Sequence, residues 1–323
     1  MKKTMLICGA TGFIGRNALE YYASTNEYNI RATHYSRPPI QGLENIEWMQ
    51  CDLKNAEDVK KAVKGVDIVL QFAAITTGAK DVIQKPYIFV TDNVIMNSLL
   101  LRESFEQSVE HFIFPSCTIM YQSSQELIKE NDFNPSEEMG SIYFGAAHTK
   151  VYLERMCQFY SKFGKTKHTV IRHSNIYGPY DKYELEKSHV FAATITKVFN
   201  STDNSITVWG SGEEKRDLLY IDDLLDFIDK AIKNQENMFD LFNVGLGQFI
   251  RIKDLVDKII HLGKMNLEVK HDLSKPSIPT SVCLDCSKAK TILGWTPKFT
   301  LDDGILKTID WYKNTIQNKS NSN

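Results

Sequence analysis

The sequence predicts an α/β fold on a doubly wound parallel sheet, with a smaller α/β domain in the C-terminal part, and three observations predict it. An apolar run, Met5-Leu6-Ile7-Cys8, stops at Gly9-Ala10-Thr11-Gly12-Phe13-Ile14-Gly15 and gives way to a helical pattern. Apolar runs and helical stretches then alternate at regular intervals without an internal repeat, the pattern of βα units. The chain, 323 residues with 42% hydrophobic and 24% charged residues, is long enough for one large α/β domain and a second, smaller one.

The opening turn has GxxGxxG spacing between strand and helix. Gly9 permits the turn, Gly12 lets the backbone come close to a pyrophosphate, and Gly15 lets the helix lie near the strand, with the helix N-terminus facing the negative charge. Thr11, Phe13 and Ile14 belong to the same expected dinucleotide cradle. A second strand is expected at Tyr28 to Tyr35. No acid lies between Glu27 and Glu44 to bind an adenosine ribose; Arg31, His34, Ser36 and Arg37 stand there instead, a group suited to a 2′-phosphate. NADP(H) is therefore the expected cofactor, with NAD as the alternative.

Glu47 to Cys51 reads as a third strand ending at Asp52-Leu53, followed by a helix from Ala56 to Val63. Val66 to Phe72 is the fourth, ending at Ala73-Ala74, small residues against which a flat ring or ribose can lie. A long helix from Pro86 to Ser104 carries Asn93. The fifth strand, His111 to Pro115, leads into Ser116-Cys117-Thr118-Ile119-Met120-Tyr121, a loop placed to hold catalytic hydroxyls or thiols. A polar loop, Gln122 to Ser141, precedes a helix from Gly145 to Phe163 on which Ala146, Lys150 and Glu154 share one face. His168 to Arg172 is the sixth strand, followed by Ser174 to Pro179. From Tyr183 the chain should build the smaller domain, supplying a helix at Ile221 to Ile232 and returning to the sheet at Leu241 to Val244. The expected division is 1–180 with 217–245 for the Rossmann-type domain, 181–216 with 246–315 for the substrate domain, and a polar tail within Asn314 to Asn323, set apart from 316.

Charge and cysteine usage narrow the partners. Thirty-eight Lys and Arg against 40 Asp and Glu give a net charge of −2, so no overall field favours nucleic acid or an acidic membrane. Met1-Lys2-Lys3-Thr4 looks like the start of a secretory signal, but the apolar run behind it is too short, and a cytoplasmic protein is expected. Six scattered cysteines suit reduced thiols; Cys283 and Cys286 form a lone CxxC read as coincidence, with no metal expected.

In order and spacing the glycine turn, Asp52-Leu53, Phe72-Ala73-Ala74, Asn93, the Ser116 to Tyr121 loop, Lys150 with Glu154, and Arg172 through Pro179 resemble the extended short-chain dehydrogenase/reductases. These are nucleotide-sugar epimerases, dehydratases and reductases. Gly178-Pro179-Tyr180-Asp181-Lys182-Tyr183, Ser188-His189-Val190, Val208-Trp209-Gly210-Ser211-Gly212, Arg216-Asp217 and Leu293-Gly294-Trp295-Thr296-Pro297 are most similar to the GDP-fucose synthase branch. The resemblance implies a Tyr-x-x-x-Lys pair that moves the sugar hydroxyl proton. Lys150 matches the lysine, which would hold the nicotinamide ribose and lower the tyrosine pKa. Ala146 occupies the tyrosine position and has no proton to give. Either residue 146 has been replaced deliberately, the preferred explanation, or another group is the acid, with Tyr143 and His148 as stand-ins.

Cys117 falls where the family keeps a catalytic Ser or Thr, with Thr118 able to share its task. His189 matches a family acid/base histidine, but Ile119 stands at its cysteine partner's position. Ile119-Met120 replaces the Asp-Glu pair of dehydratases, which argues against 4,6-dehydration. By the same resemblance Asn175 and Ile176 would meet the cofactor, Asn175 and His189 the sugar, Lys197 and Arg216 the diphosphate, and Trp209 the base or sugar. The implied activity is NADP-dependent reduction at C4 of a GDP-linked 4-keto-6-deoxy or related sugar, with epimerisation as a possible second activity. A C4 epimerase with retained NAD and an inactive dinucleotide-binding sensor or scaffold are the alternatives. Relatives pair through helices like Pro86 to Ser104 and Gly145 to Phe163, which implies a homodimer.

Overall fold

Strands covered on both faces carry apolar residues at consecutive positions, and the first strand does so. In the computed structural model, which describes residues 2–76, 84–139, 141–275 and 280–317, Met5 and Ile7 point into one core layer while Leu6 and Cys8 point into the other. In chain order the first half contains β1 (Thr4–Cys8), α1 (Phe13–Thr25), β2 (Asn29–His34), β3 (Ile46–Gln50), α2 (Ala56–Val63), β4 (Ile68–Gln71), α3 (Thr91–Glu106), β5 (His111–Pro115), α4 (Phe144–Ser161), β6 (Lys167–His173) and β7 (Asn175–Tyr177). Then come α5 (Val190–Phe199), β8 (Ser205–Trp209), β9 (Lys215–Arg216), β10 (Leu218–Tyr220), α6 (Ile221–Asn234), β11 (Phe239–Val244), β12 (Ile250–Arg251), α7 (Ile252–Leu262), β13 (Glu268–Asp272), α8 (Ser287–Leu293) and α9 (Leu301–Tyr312).

The expected doubly wound sheet is present. Seven strands run in the order β11-β6-β5-β4-β1-β2-β3, every pair parallel. β1 lies between β2 and β4, so successive crossovers leave it to opposite sides and open a crevice at its carboxyl end, where ligands of such sheets bind. α1 buries Gly15, Ala18, Leu19 and Tyr22, the i, i+3, i+4, i+7 stripe of a helix packed on a sheet. Among the described residues no helix is long and apolar enough to cross a membrane.

Several expected boundaries move for local reasons. The helix expected from Pro86 is a 3₁₀ turn, Pro86–Phe89, joined to α3, because the i+3 bonds Ile88 N to Lys85 O and Val90 N to Tyr87 O replace α-helical ones. The sixth strand runs on through His173, and the returning strand begins at Phe239, two residues before Leu241. The expected frayed tail is ordered through Gln317: Lys313–Gln317 adds a π turn to α9, and Gln317 Nε2 donates to Phe199 O at 2.8 Å. The remainder of that tail lies outside the described residues.

The C-terminal elements rest on the sheet through large side chains. Trp295 is wholly buried, and its indole N–H donates to Asp223 O at 3.2 Å, tying the segment after α8 to α6. Asp217 is likewise buried; its carboxylate accepts from the N–H groups of Leu246 (2.9 Å), Gly247 (3.2 Å) and Leu284 (3.1 Å), which gathers two separate segments on one side chain. Both cysteines of the CxxC turn inward: Cys283 Sγ meets Asp217 at 3.5 Å and Cys286 Sγ accepts from Gly245 N at 3.2 Å.

Candidate active site

The crevice begins at the glycine turn. Gly9 has φ +71°, and a Cβ there would lie 2.8 Å from the Ala73 backbone, so β1 and the end of β4 touch through bare backbone. A Cβ on Gly15 would lie 2.2 Å from Gly9 O, which is what holds the first turn of α1 against the strand. Gly12 is the N-cap of α1, with no side chain capping it and no acid in the first turn, so the helix N-terminus presents bare N–H groups. These features fit a dinucleotide pyrophosphate. Thr11, Phe13 and Ile14 are partly exposed around the turn. On the far wall Asn93 clamps the loop after β4: its Oδ1 accepts from Ile75 N at 2.9 Å, and its Nδ2 donates to Ile75 O at 3.1 Å and Phe89 O at 2.8 Å. Ala73 is half-buried and Ala74 exposed beside this clamp.

Beyond β2 the expected phosphate group divides. Arg31 is corrected: it pairs with Glu47 at 2.9 Å and donates to Ala62 O (2.9 Å) and Lys64 O (2.7 Å), closing the C-terminus of α2. Arg37, in contrast, reaches back to the glycine turn, its Nη1 donating to Thr11 O at 3.1 Å, while His34 Nδ1 donates to Arg37 O at 2.9 Å. Ser36 is exposed beside them. Lys182, which the sequence reading did not single out for this role, stands near Arg37: burial lowers its pKa and the Arg37 charge adds to the effect. Asp52 shapes the turn after β3, accepting from Lys54 N at 3.0 Å, and Leu53 packs into the core.

At the carboxyl end of β5, Lys150 Nζ donates to Pro115 O at 2.9 Å, and its register is fixed one helical turn later. There Glu154 and Arg172 form a buried two-pronged ion pair (Nη2 to Oε2 2.6 Å, Nε to Oε1 3.1 Å), and Ser116 Oγ donates to Glu154 Oε1 at 2.6 Å. Cys117 lies close enough to Lys150 to feel its charge; burial pushes the thiol up and the ammonium partly opposes this. Thr118 is half-buried in the same turn, its carbonyl accepting from Tyr121 N at 3.0 Å. Ala146 is partly exposed on the Lys150 face. His148 is corrected as a stand-in acid, because it is exposed and its ring lies against Phe144, centroids 4.5 Å apart.

Two further groups face this point. Burial lowers the pKa of His189, at the N-cap of α5, and Lys182 adds to the effect. His173 closes β6, with a pKa lowered by burial to about 4; Lys150 and His189 push it further in that direction. Cys117, His173 and Arg216 are half-buried and His189 is exposed, so all four keep accessible surface.

The expected substrate contacts fall in two places. Lys197 and Trp209 line a cavity of about 400 Å³ with Leu185 and Thr207; Lys197 Nζ donates to Thr207 O at 2.7 Å and stands 5.7 Å from the Trp209 ring centroid. Arg216 stands apart from that lining. Its Nη1 donates to Lys215 O at 2.8 Å and to Thr280 O, and its charge bears on the Tyr143 phenol, whose pKa burial raises. Asn175 is exposed with its Nδ2 on Asp217 O at 3.0 Å, and Ile176 is half-buried next to it.

Known proteins are similar to this chain over nearly its whole length. The chain is 26% identical over 318 residues to GDP-L-fucose synthase of Azorhizobium caulinodans, covering 96% of each chain. It is also 26% identical to GDP-L-colitose synthase of Yersinia pseudotuberculosis, covering 97% of this chain and 99% of that one. Among solved structures, UDP-glucose 4-epimerase from Thermotoga maritima superposes with a TM-score of 0.85 at 23% identity, over 97% of this chain and 99% of that one. Residues 5–245 match one family, and the chain belongs to it: the NAD dependent epimerase/dehydratase family.

Proposed function

We propose that the protein is an NADP(H)-dependent reductase acting at C4 of a GDP-linked 4-keto-6-deoxy sugar or a related nucleotide sugar. The observation that carries this reading is the position of Lys150. Its ammonium sits on Pro115 O at the carboxyl end of β5, with the cleft groups Cys117 and His173 within range of its charge. The two full-length relatives quoted above act on GDP-linked sugars by their names, which supports the choice of base.

In this reading Gly9, Gly12 and Gly15 with the N-terminus of α1 hold the pyrophosphate, and Ala73, Ala74, Asp52, Leu53, Asn175 and Ile176 flank the rest of the dinucleotide. His34, Ser36 and Arg37, with Lys182 near Arg37, favour the 2′-phosphate form. When bound, the dinucleotide would supply or accept a hydride at the sugar carbon. Lys150 exchanges its bond to Pro115 O for the nicotinamide ribose, Cys117 and Thr118 hold the sugar oxygen, and Arg216 and Lys197 hold the diphosphate. Residues 1–180 with 217–245 form the dinucleotide half, and 181–216 with 246–315 the sugar half. Ile95, Tyr152, Phe159 and Phe163, exposed on α3, on α4 and just past α4, form the face through which two copies pair.

The test is a panel of GDP- and UDP-linked sugars with the purified protein. Stoichiometric consumption of added NADPH with a GDP-linked 4-keto sugar supports the reading. Nicotinamide retained through purification, with interconversion of C4 epimers and no net consumption, would establish the C4 epimerase instead.

A further inference from the structure

Reduction at C4 requires a proton for the carbonyl oxygen, and Ala146 has none. Its replacement must titrate, stand beside Lys150 and open onto the cleft. His148 lies outside against Phe144, and the charges bearing on Tyr143 are those of Arg216 and Cys117. Cys117 is a weak donor whose thiol burial pushes up.

His173 meets all three conditions. It ends β6 two residues beyond Ile171, the partner of Pro115, and Pro115 O holds Lys150 Nζ; imidazole and ammonium therefore stand at the ends of adjacent strands. The residue is half-buried rather than sealed in the core, and the charges bearing on it are Lys150 from α4 and His189 from the head of α5. Nδ1 lies 2.8 Å from Ser174 O. A carbonyl oxygen only accepts, so Nδ1 carries the hydrogen and Nε2 keeps its lone pair.

We infer that His173 Nε2 exchanges the sugar hydroxyl proton in place of the phenol that position 146 lacks, an inference that rests on the hydride-transfer reading of this cleft. In the oxidative direction the sugar O–H bond breaks, its electron pair becomes the second C–O bond, and the proton forms an N–H bond at Nε2. The C–H electron pair leaves with its hydrogen as hydride to the oxidised cofactor. Reduction reverses each transfer. The Nδ1 to Ser174 O bond fixes the ring and stabilises the imidazolium, while the Lys150 charge makes that imidazolium a stronger acid. Since the folded pKa lies well below neutrality, reductive kcat/KM should climb as pH falls from 7 toward 4.

His173→Asn keeps a donor for Ser174 O and removes the base. It should leave dinucleotide affinity by calorimetry unchanged and lower kcat by about 10²–10⁴-fold. Adding Ala146→Tyr to it should restore at least about tenfold, which a packing role for His173 would not allow. Independently of turnover, ¹⁵N NMR of labelled histidines should show His173 protonated at Nδ1 only at neutral pH. Protonation at Nε2 overturns the inference, as does a His173→Asn enzyme within about threefold of wild type. Wild-type turnover with an unaffected variant defeats this inference alone; a wild type that turns over no nucleotide sugar defeats the reading beneath it as well.

Discussion

The two sides of the crevice are built from different material. The β1–α1 side is backbone: bare glycines, a helix N-terminus without a cap, and a strand contact that excludes any Cβ. The opposite side, from Cys117 through Lys150 to His173 and Arg216, is made of side chains held by a buried ion pair and carbonyl contacts. A site made of backbone tolerates almost no change of residue, because the Cβ it excludes is absent in one amino acid only. A site made of side chains can lose one group, as at Ala146, and keep its frame.

The largest effect should therefore come from the backbone side. Gly15→Val places a side chain where even a Cβ would be 2.2 Å from Gly9 O; calorimetry should detect no dinucleotide binding, and the fold should lose about 1–3 kcal/mol or more. On the other side Lys150→Met should keep the fold and lower kcat about 10²–10⁴-fold. Equal kcat would place the chemistry elsewhere. Glu154→Ala leaves the Arg172 guanidinium buried without its carboxylate, and urea unfolding should show a loss of about 3–5 kcal/mol. Arg37→Ala should weaken NADPH by about 10–100-fold and leave NADH nearly unchanged. Equal weakening of both would assign Arg37 to the glycine turn alone.

The smallest effect concerns pH and a residue behind both sides. His168 is fully buried, with a pKa lowered by burial from 6.5 to about 4. The unfolded chain binds its proton more readily, so the stability that the neutral ring allows is complete above 6.5 and is lost as pH falls toward 4. The Tm of wild type relative to His168→Phe should fall over that window and stay level above it.

The same contrast explains what could be read from the sequence. Glycine spacing, the runs of β1 and β4 and the Lys150–Glu154 register are local patterns, and they lead directly to the sheet and its crevice. Glu154 and Arg172 were legible as markers of the register, but their ion pair was not, because it joins a helix to a strand 18 residues further on. Arg31 misled because its acceptors, Ala62 O and Lys64 O, are carbonyls that every residue has and no pattern marks. His173 and Lys182 were missed for a related reason. One is a strand end and the other a loop residue, and their neighbours Lys150 and Arg37 come from elements distant in the chain. The 3₁₀ turn at Pro86 was hidden because proline suits the first position of either helix type.

A crystal structure with a bound nicotinamide dinucleotide tests the central claim most directly. The account predicts the pyrophosphate on the N–H groups that follow Gly12, and Lys150 Nζ released from Pro115 O onto the nicotinamide ribose. A nucleotide lodged away from the glycine turn, or Lys150 still bonded to Pro115 O beneath a bound ring, would contradict it.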